Sequence, residues 1–60
     1  MTDFEKMVAK LRASSYTEGE HFIIWEWDFG GKQIDFRPTD LHLEWISFEY
    51  DNDGNLTEIY

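Results

Sequence analysis

Four groupings of side chains in this 60-residue chain have types and spacings that could do chemistry, and each lacks a part that its chemistry requires. Glu26 and Asp35, brought together across a hairpin, could share a proton and raise one pKa, the start of an acid–base pair. A chain of this length has little volume for a closed, water-excluding pocket of the usual ~300 Å³ or more. Glu49-x-Asp51-x-Asp53-Gly54 follows the first half of a calcium-binding loop, with oxygen ligands at alternate positions and the glycine sixth. The twelfth position is Tyr60 rather than the bidentate carboxylate that closes such a site, so a plain hairpin turn accounts for the run better. His42-x-Glu44 and Glu20-His21 each offer two ligands where zinc needs three or four that converge. There is no cysteine, the two histidines lie apart, and Gly30-Gly31 has no phosphate-binding context. These residues therefore assign no catalytic group, metal or cofactor, and the chain does not read as an enzyme.

Charge is the stronger signal. Eleven of the thirteen acidic residues lie between Glu18 and Tyr60, opposed there only by Lys32 and Arg37. Residues 1–17 carry a net charge of +1 and residues 18–60 a net charge of −9, so the field belongs to one structural half. Such a field attracts basic surfaces and repels phosphates, which favours a cationic protein partner over direct nucleic-acid binding. No apolar run approaches the ~20 residues of a membrane span, and the N-terminus lacks the basic and apolar regions of a signal peptide. The chain thus reads as soluble and cytoplasmic, a location with which the lack of cysteine agrees.

The elements that would position these groups follow from local pattern. Thr2-Asp3-Phe4-Glu5 fits a capping box, and Phe4, Met7, Val8 and Leu11 recur at i, i+3, i+4 and i+7, so a helix is expected over about 3–13. Ser14 to Gly19 reads as a loop. From His21 the period changes to two, with β-branched and aromatic residues that predict strands over about 21–29, 32–37, 43–50 and 56–60. Gly30-Gly31 as a two-residue hairpin turn would pair Trp27 with Ile34, Trp25 with Phe36, Glu26 with Asp35 and Asp28 with Gln33. Pro38-Thr39-Asp40 reads as a connection, since proline cannot donate to a central ladder. The apolar phase changes at Trp45-Ile46, which implies a bulge or a strand that serves both faces. The expected fold is α+β: a single domain over residues 1–60, one N-terminal helix packed on an antiparallel sheet of three to four strands in an α-β-β-β-β meander. The helix stripe would dock on Trp25, Trp27, Ile34, Phe36, Ile46 and Phe48. Eleven aromatics and no disulfide make this an aromatic core, or one completed by a second copy in a homodimer.

Asp51-Asn52-Asp53-Gly54-Asn55 reads as a turn, and the run Tyr50 to Thr57 resembles one unit of the tyrosine–aspartate repeats of large bacterial shell proteins. On the outer face, Phe22, Ile24, Leu43 and Trp45 would cluster with Arg37 at one end, and Glu26, Asp28, Asp35 and Glu49 would collect toward the other. Those eight aromatic, aliphatic and acidic residues are the candidate partner-binding set, combining an apolar anchor with a charged rim. The plainer reading is that the acids keep sheet edges from pairing and that the apolar cluster is covered by residues 38–42 or by a second copy. In size and acidity the chain resembles the small anti-host and anti-defence inhibitors encoded by phages, including anti-CRISPR proteins and uracil-DNA glycosylase inhibitors. That resemblance implies an inhibitor that occupies a basic nucleic-acid-binding surface, such as that of a nuclease, by charge mimicry. The alternative is a structural or regulatory subunit of a homodimer or a larger assembly.

Overall fold

The computed structural model describes residues 1–37 and 44–60. Helix α1 (Asp3–Ala13) is followed by β1 (Phe22–Glu26), β2 (Lys32–Phe36), β3 (Ile46–Tyr50) and β4 (Leu56–Ile59). The strands form one antiparallel sheet in the order β1-β2-β3-β4, the expected meander beneath a single helix. No helix among the described residues is long and apolar enough to cross a membrane. The connection expected at Pro38-Thr39-Asp40, together with His42 and Leu43, lies outside the described residues.

The helix forms where its local chemistry starts it. The Glu5 amide donates to Thr2 Oγ1 (3.1 Å) and the Thr2 amide to Glu5 Oε1 (3.0 Å), which closes the capping box and holds the Glu5 carboxyl below its usual pKa. Phe4 and Leu11 are buried, with Met7 and Val8 packed beside them, against Phe22, Ile34 and Tyr50 from the sheet. The Phe4 and Tyr50 rings meet edge to face at 5.3 Å. The β3–β4 turn also clasps the helix start. The Phe4 amide donates to Gly54 O (2.9 Å) and the Leu56 amide to Asp3 Oδ2 (3.0 Å). Gly54 is required there because its φ is +85° and a Cβ would lie 2.6 Å from Thr2 Oγ1.

The first hairpin corrects the sequence expectation. Its register is Phe22↔Phe36, Ile23↔Asp35, Ile24↔Ile34, Trp25↔Gln33 and Glu26↔Lys32, three residues from the expected pairing, and the loop is Trp27–Gly31 rather than two glycines. An odd shift turns every β1 side chain to the other face. Phe22 and Ile24 therefore face the helix, and Trp25 and Trp27 are not core residues. Two physical reasons favour the observed register. Glu26 meets Lys32 instead of Asp35, which exchanges a like-charge pair for an opposite-charge one. An eleven-residue helix also covers only a narrow core, which Phe22, Ile24, Ile34 and Phe48 fill without two indoles. Gly31 fits this arrangement because it lies against the Tyr50 carbonyl, with which any Cβ would collide. Ile34, Phe36 and Phe48 do pack with the core as expected, and Ile46 pairs with Phe36 on the same side.

β3 begins at Ile46, so Trp45 precedes the strand, and the described irregularity falls between Glu49 and Tyr50 rather than at Trp45-Ile46. In the following turn Asp51 Oδ1 accepts the amides of Asp53 (2.9 Å) and Asn55 (2.8 Å). Its oxygens thus close their own backbone turn, and these bonds, that from Asn55 foremost, hold its carboxyl below the usual range.

Candidate functional site

The helix covers one face of the sheet, and alternation from the buried Phe22, Ile34 and Tyr50 assigns the other face residue by residue. Ile23 lies opposite Asp35, which lies opposite Ser47. In the next row Trp25 lies opposite Gln33, then Glu49, then Glu58. This helix-distal face is the candidate functional site: indoles on the β1 side and carboxylates across β2, β3 and β4.

Asp35 organises its centre. Its carboxylate accepts from Trp25 Nε1 (3.0 Å), Gln33 Nε2 (2.7 Å) and Ser47 Oγ (2.8 Å), so donors from three strands converge on one anion. Because a carboxylate only accepts, the Gln33 amide must present its nitrogen to Asp35, which leaves the amide oxygen as an acceptor. The bond from Trp25 holds its indole over the sheet, and Trp27 stacks on it with ring centroids 6.3 Å apart and planes 8° from parallel. Both remain substantially exposed, Trp25 at 44% and Trp27 at 50%, while Phe29 in the same loop is 92% exposed.

A second acidic group lies across β3 and β4. Glu49 and Glu58 are direct cross-strand neighbours, and the Tyr60 hydroxyl reaches Glu49 Oε2 (2.9 Å) and Glu58 Oε2 (3.0 Å). One phenolic proton serves two anions, and their hydrogen bonds, Glu49's first, push the Tyr60 pKa up to about 12. Among the described residues no cation forms an ion pair with Asp35, Glu49 or Glu58; the ion pair found is Arg12–Glu18, at 3.2 Å. Lys32 points to the helix side, with Nζ 5.8 Å from the Phe4 ring centroid. Arg37 lies over Trp45 at 4.6 Å and donates through Nη2 to Glu20 O.

Of the residues singled out in the sequence, Asp35 and Glu49 share the open face. Glu26 falls in the row of Phe22 and Ile24, on the helix side of the edge strand, and Asp28 is exposed in the β1–β2 loop. The four acids therefore do not form one field, a consequence of the register shift. Phe22 is the most deeply buried aromatic of the core, at 1% exposure, and Ile24 packs beside it, so neither anchors an exposed cluster. Trp45 is half-buried against Arg37, a contact of the expected apolar end that forms as drawn, while Leu43 lies outside the described residues. Ile23, Trp25, Trp27, Glu58 and Tyr60 enter the face unanticipated. Weighing Glu26 against Lys32 rather than Asp35 would have located the first three, since charge pairing distinguishes registers that apolar pairing leaves equal.

No protein family, no curated protein and no solved structure matches this chain.

Proposed function

We propose that this protein is a small acidic protein-binding inhibitor that lays the helix-distal face of its sheet on a basic, nucleic-acid-binding surface of its target. The observation that carries this reading is the coincidence, on the face turned away from the helix, of a stacked indole pair and three carboxylates without a paired cation among the described residues. Exposed indoles supply contact area, and the carboxylates supply orientation and association rate. Asp35 and Glu49 are diagonal neighbours on adjacent strands, about 7–8 Å apart by sheet geometry. That separation resembles the spacing of phosphates along one nucleic-acid strand, which supports charge mimicry. Asp28, exposed in the β1–β2 loop, belongs to the rim. Size and acidity match the anti-host and anti-defence inhibitors of phages, anti-CRISPR proteins among them, and a nucleic-acid-binding target or nuclease implies the host cytoplasm.

A second reading, assembly with another copy, is favoured by one observation. All four residues of edge strand β4 are exposed, Ile59 at 55% and Leu56 at 41%, so a strand could add there. Salt separates the two. A copy with net charge −8 would associate more readily as salt screens repulsion, whereas a basic target would be released. The experiment is capture of a basic nucleic-acid-binding target from the host at low salt, followed by competition with an oligonucleotide. Displacement by the oligonucleotide and loss of capture with rising salt are expected. A target that binds both ligands at once refutes mimicry.

A further inference from the structure

At the turn end of the open face a cavity of about 260 Å³ is bordered by Trp27, Gln33, Glu49, Thr57 and Lys32. It is smaller than the ~300–1,000 Å³ of most small-molecule pockets, a size that suits one side chain. We infer that this cavity takes an arginine side chain of the partner, with the guanidinium stacked on Trp27 and bonded to Glu49. The inference rests on the reading that the open face docks a basic protein.

The lining has what a guanidinium lacks and lacks what it has. Glu49 uses Oε2 for Tyr60 and keeps Oε1 as an acceptor. Gln33 spends its amide nitrogen on Asp35 and keeps its oxygen. The Thr57 hydroxyl donates to Glu49 O (3.1 Å), so it does not compete as a donor into the cavity. Lys32, the one cation on the border among the described residues, has its ammonium turned to the Phe4 ring on the helix side. What remains is an aromatic wall and three side-chain acceptors, the Thr57 oxygen included. Their complement is a planar cation with five donors and no acceptor, and arginine alone among side chains fits that description. Stacking on Trp27 requires no rearrangement, since the indole is already held against Trp25 with half of its surface exposed. A cation there also relieves a like-charge contact, because Glu49 and Glu58 face each other across the ladder and share one phenol.

The test titrates the protein with N-acetyl-arginine methylamide, the matching lysine compound and the neutral citrulline compound, reading the Trp27 indole and Gln33 side-chain amide resonances by NMR. Saturable shifts at both groups are expected with the arginine compound, in the millimolar range. The lysine compound should bind at least five-fold more weakly and the citrulline compound should give no saturable shift. Glu49→Gln should weaken arginine binding about ten-fold while leaving the core resonances of Phe22 and Leu11 in place, and Trp27→Ala should weaken it as well. Equal binding of lysine and arginine, shifts confined to the Asp51–Asn55 turn, or an unchanged affinity in Glu49→Gln would each overturn the assignment. Those results, obtained alongside salt-sensitive capture of a basic target, would remove the arginine cavity and leave docking by the open face intact. Absence of any capture would remove the docking reading instead.

Discussion

Asp35→Ala distinguishes the observed sheet from the one that apolar patterning alone suggests, because the two give opposite signs. In the observed register Asp35 faces Ile23 and Ser47 and accepts three hydrogen bonds, from Trp25, Gln33 and Ser47, at 2.7–3.0 Å. Hydrogen bonds to a charged group contribute about 1.5–3 kcal/mol each when sheltered from water. Trp25 is 44% exposed and the Asp35 carboxylate is only partly covered, so water recovers much of this on removal. A net loss of about 2 kcal/mol is the reasonable sum, which for a domain of this size lowers Tm by roughly 8–16 °C. In a register that set Asp35 against Glu26, the same substitution would relieve repulsion and raise Tm. The assay is thermal and urea unfolding followed by tryptophan fluorescence, with Asp35→Asn as the companion variant. Asparagine keeps an acceptor for the indole and should cost less than half as much. An unchanged or raised Tm in Asp35→Ala refutes the network.

Phe22→Ala should cost about 3–4 kcal/mol and unfold much of the population at room temperature, whereas Trp25→Ala should cost about 1 kcal/mol or less and impair target capture; urea unfolding and capture, measured together, check the contrast. Gly31→Ala should destabilise more than Gly30→Ala, because a methyl at 31 meets the Tyr50 carbonyl while position 30, at φ +88°, has open space around it; comparative urea midpoints decide. The Tyr60 phenol should titrate near pH 12 by ultraviolet absorbance and return toward 10 in the Glu49→Gln, Glu58→Gln double variant. Its folded pKa is raised, so the stability it contributes is present below pH 10 and lost as pH rises through 12. Glu5 and Asp51 act in the opposite sense: their folded pKa values lie below 4.5 and 3.8, so their contribution is present above those values and disappears as pH falls through the lowered ones. Thr2→Ala should remove the Glu5 share of that acid sensitivity in pH-dependent unfolding.

What could be read in advance was what short-range chemistry decides. The helix over residues 3–13 is announced by Thr2 and Glu5 three residues apart and by the stripe from Phe4 to Leu11, and every determinant lies within one or two turns. The turn at Asp51–Asn55 is equally local, because Asp51 bonds its own backbone. The hairpin register was not legible from apolar pattern, since residues 22–27 are apolar at both parities: Phe22 and Ile24 on one, Ile23, Trp25 and Trp27 on the other. Two adjacent glycines suggested a tight turn, but Gly31 is small for a different reason, the approach of Tyr50 from β3, which no local rule contains. With the register went the faces, and so Glu26 left the acidic group while Asp35 and Glu49 stayed. Glu58 and Tyr60 joined it through β4, whose pairing depends on the irregularity at Glu49/Tyr50.

In the proposed function, the face turned away from the helix makes the contact with a basic target. The direct measurement is target affinity for two charge-reversed proteins, Glu49→Lys with Glu58→Lys on the open face and Glu26→Lys on the helix side, each with its fold verified. The first should lose affinity by ten-fold or more and the second should change it by less than three-fold, in keeping with the larger effect of charges inside an interface. A Glu26→Lys protein that fails to bind while the double reversal binds normally would contradict the proposed contact.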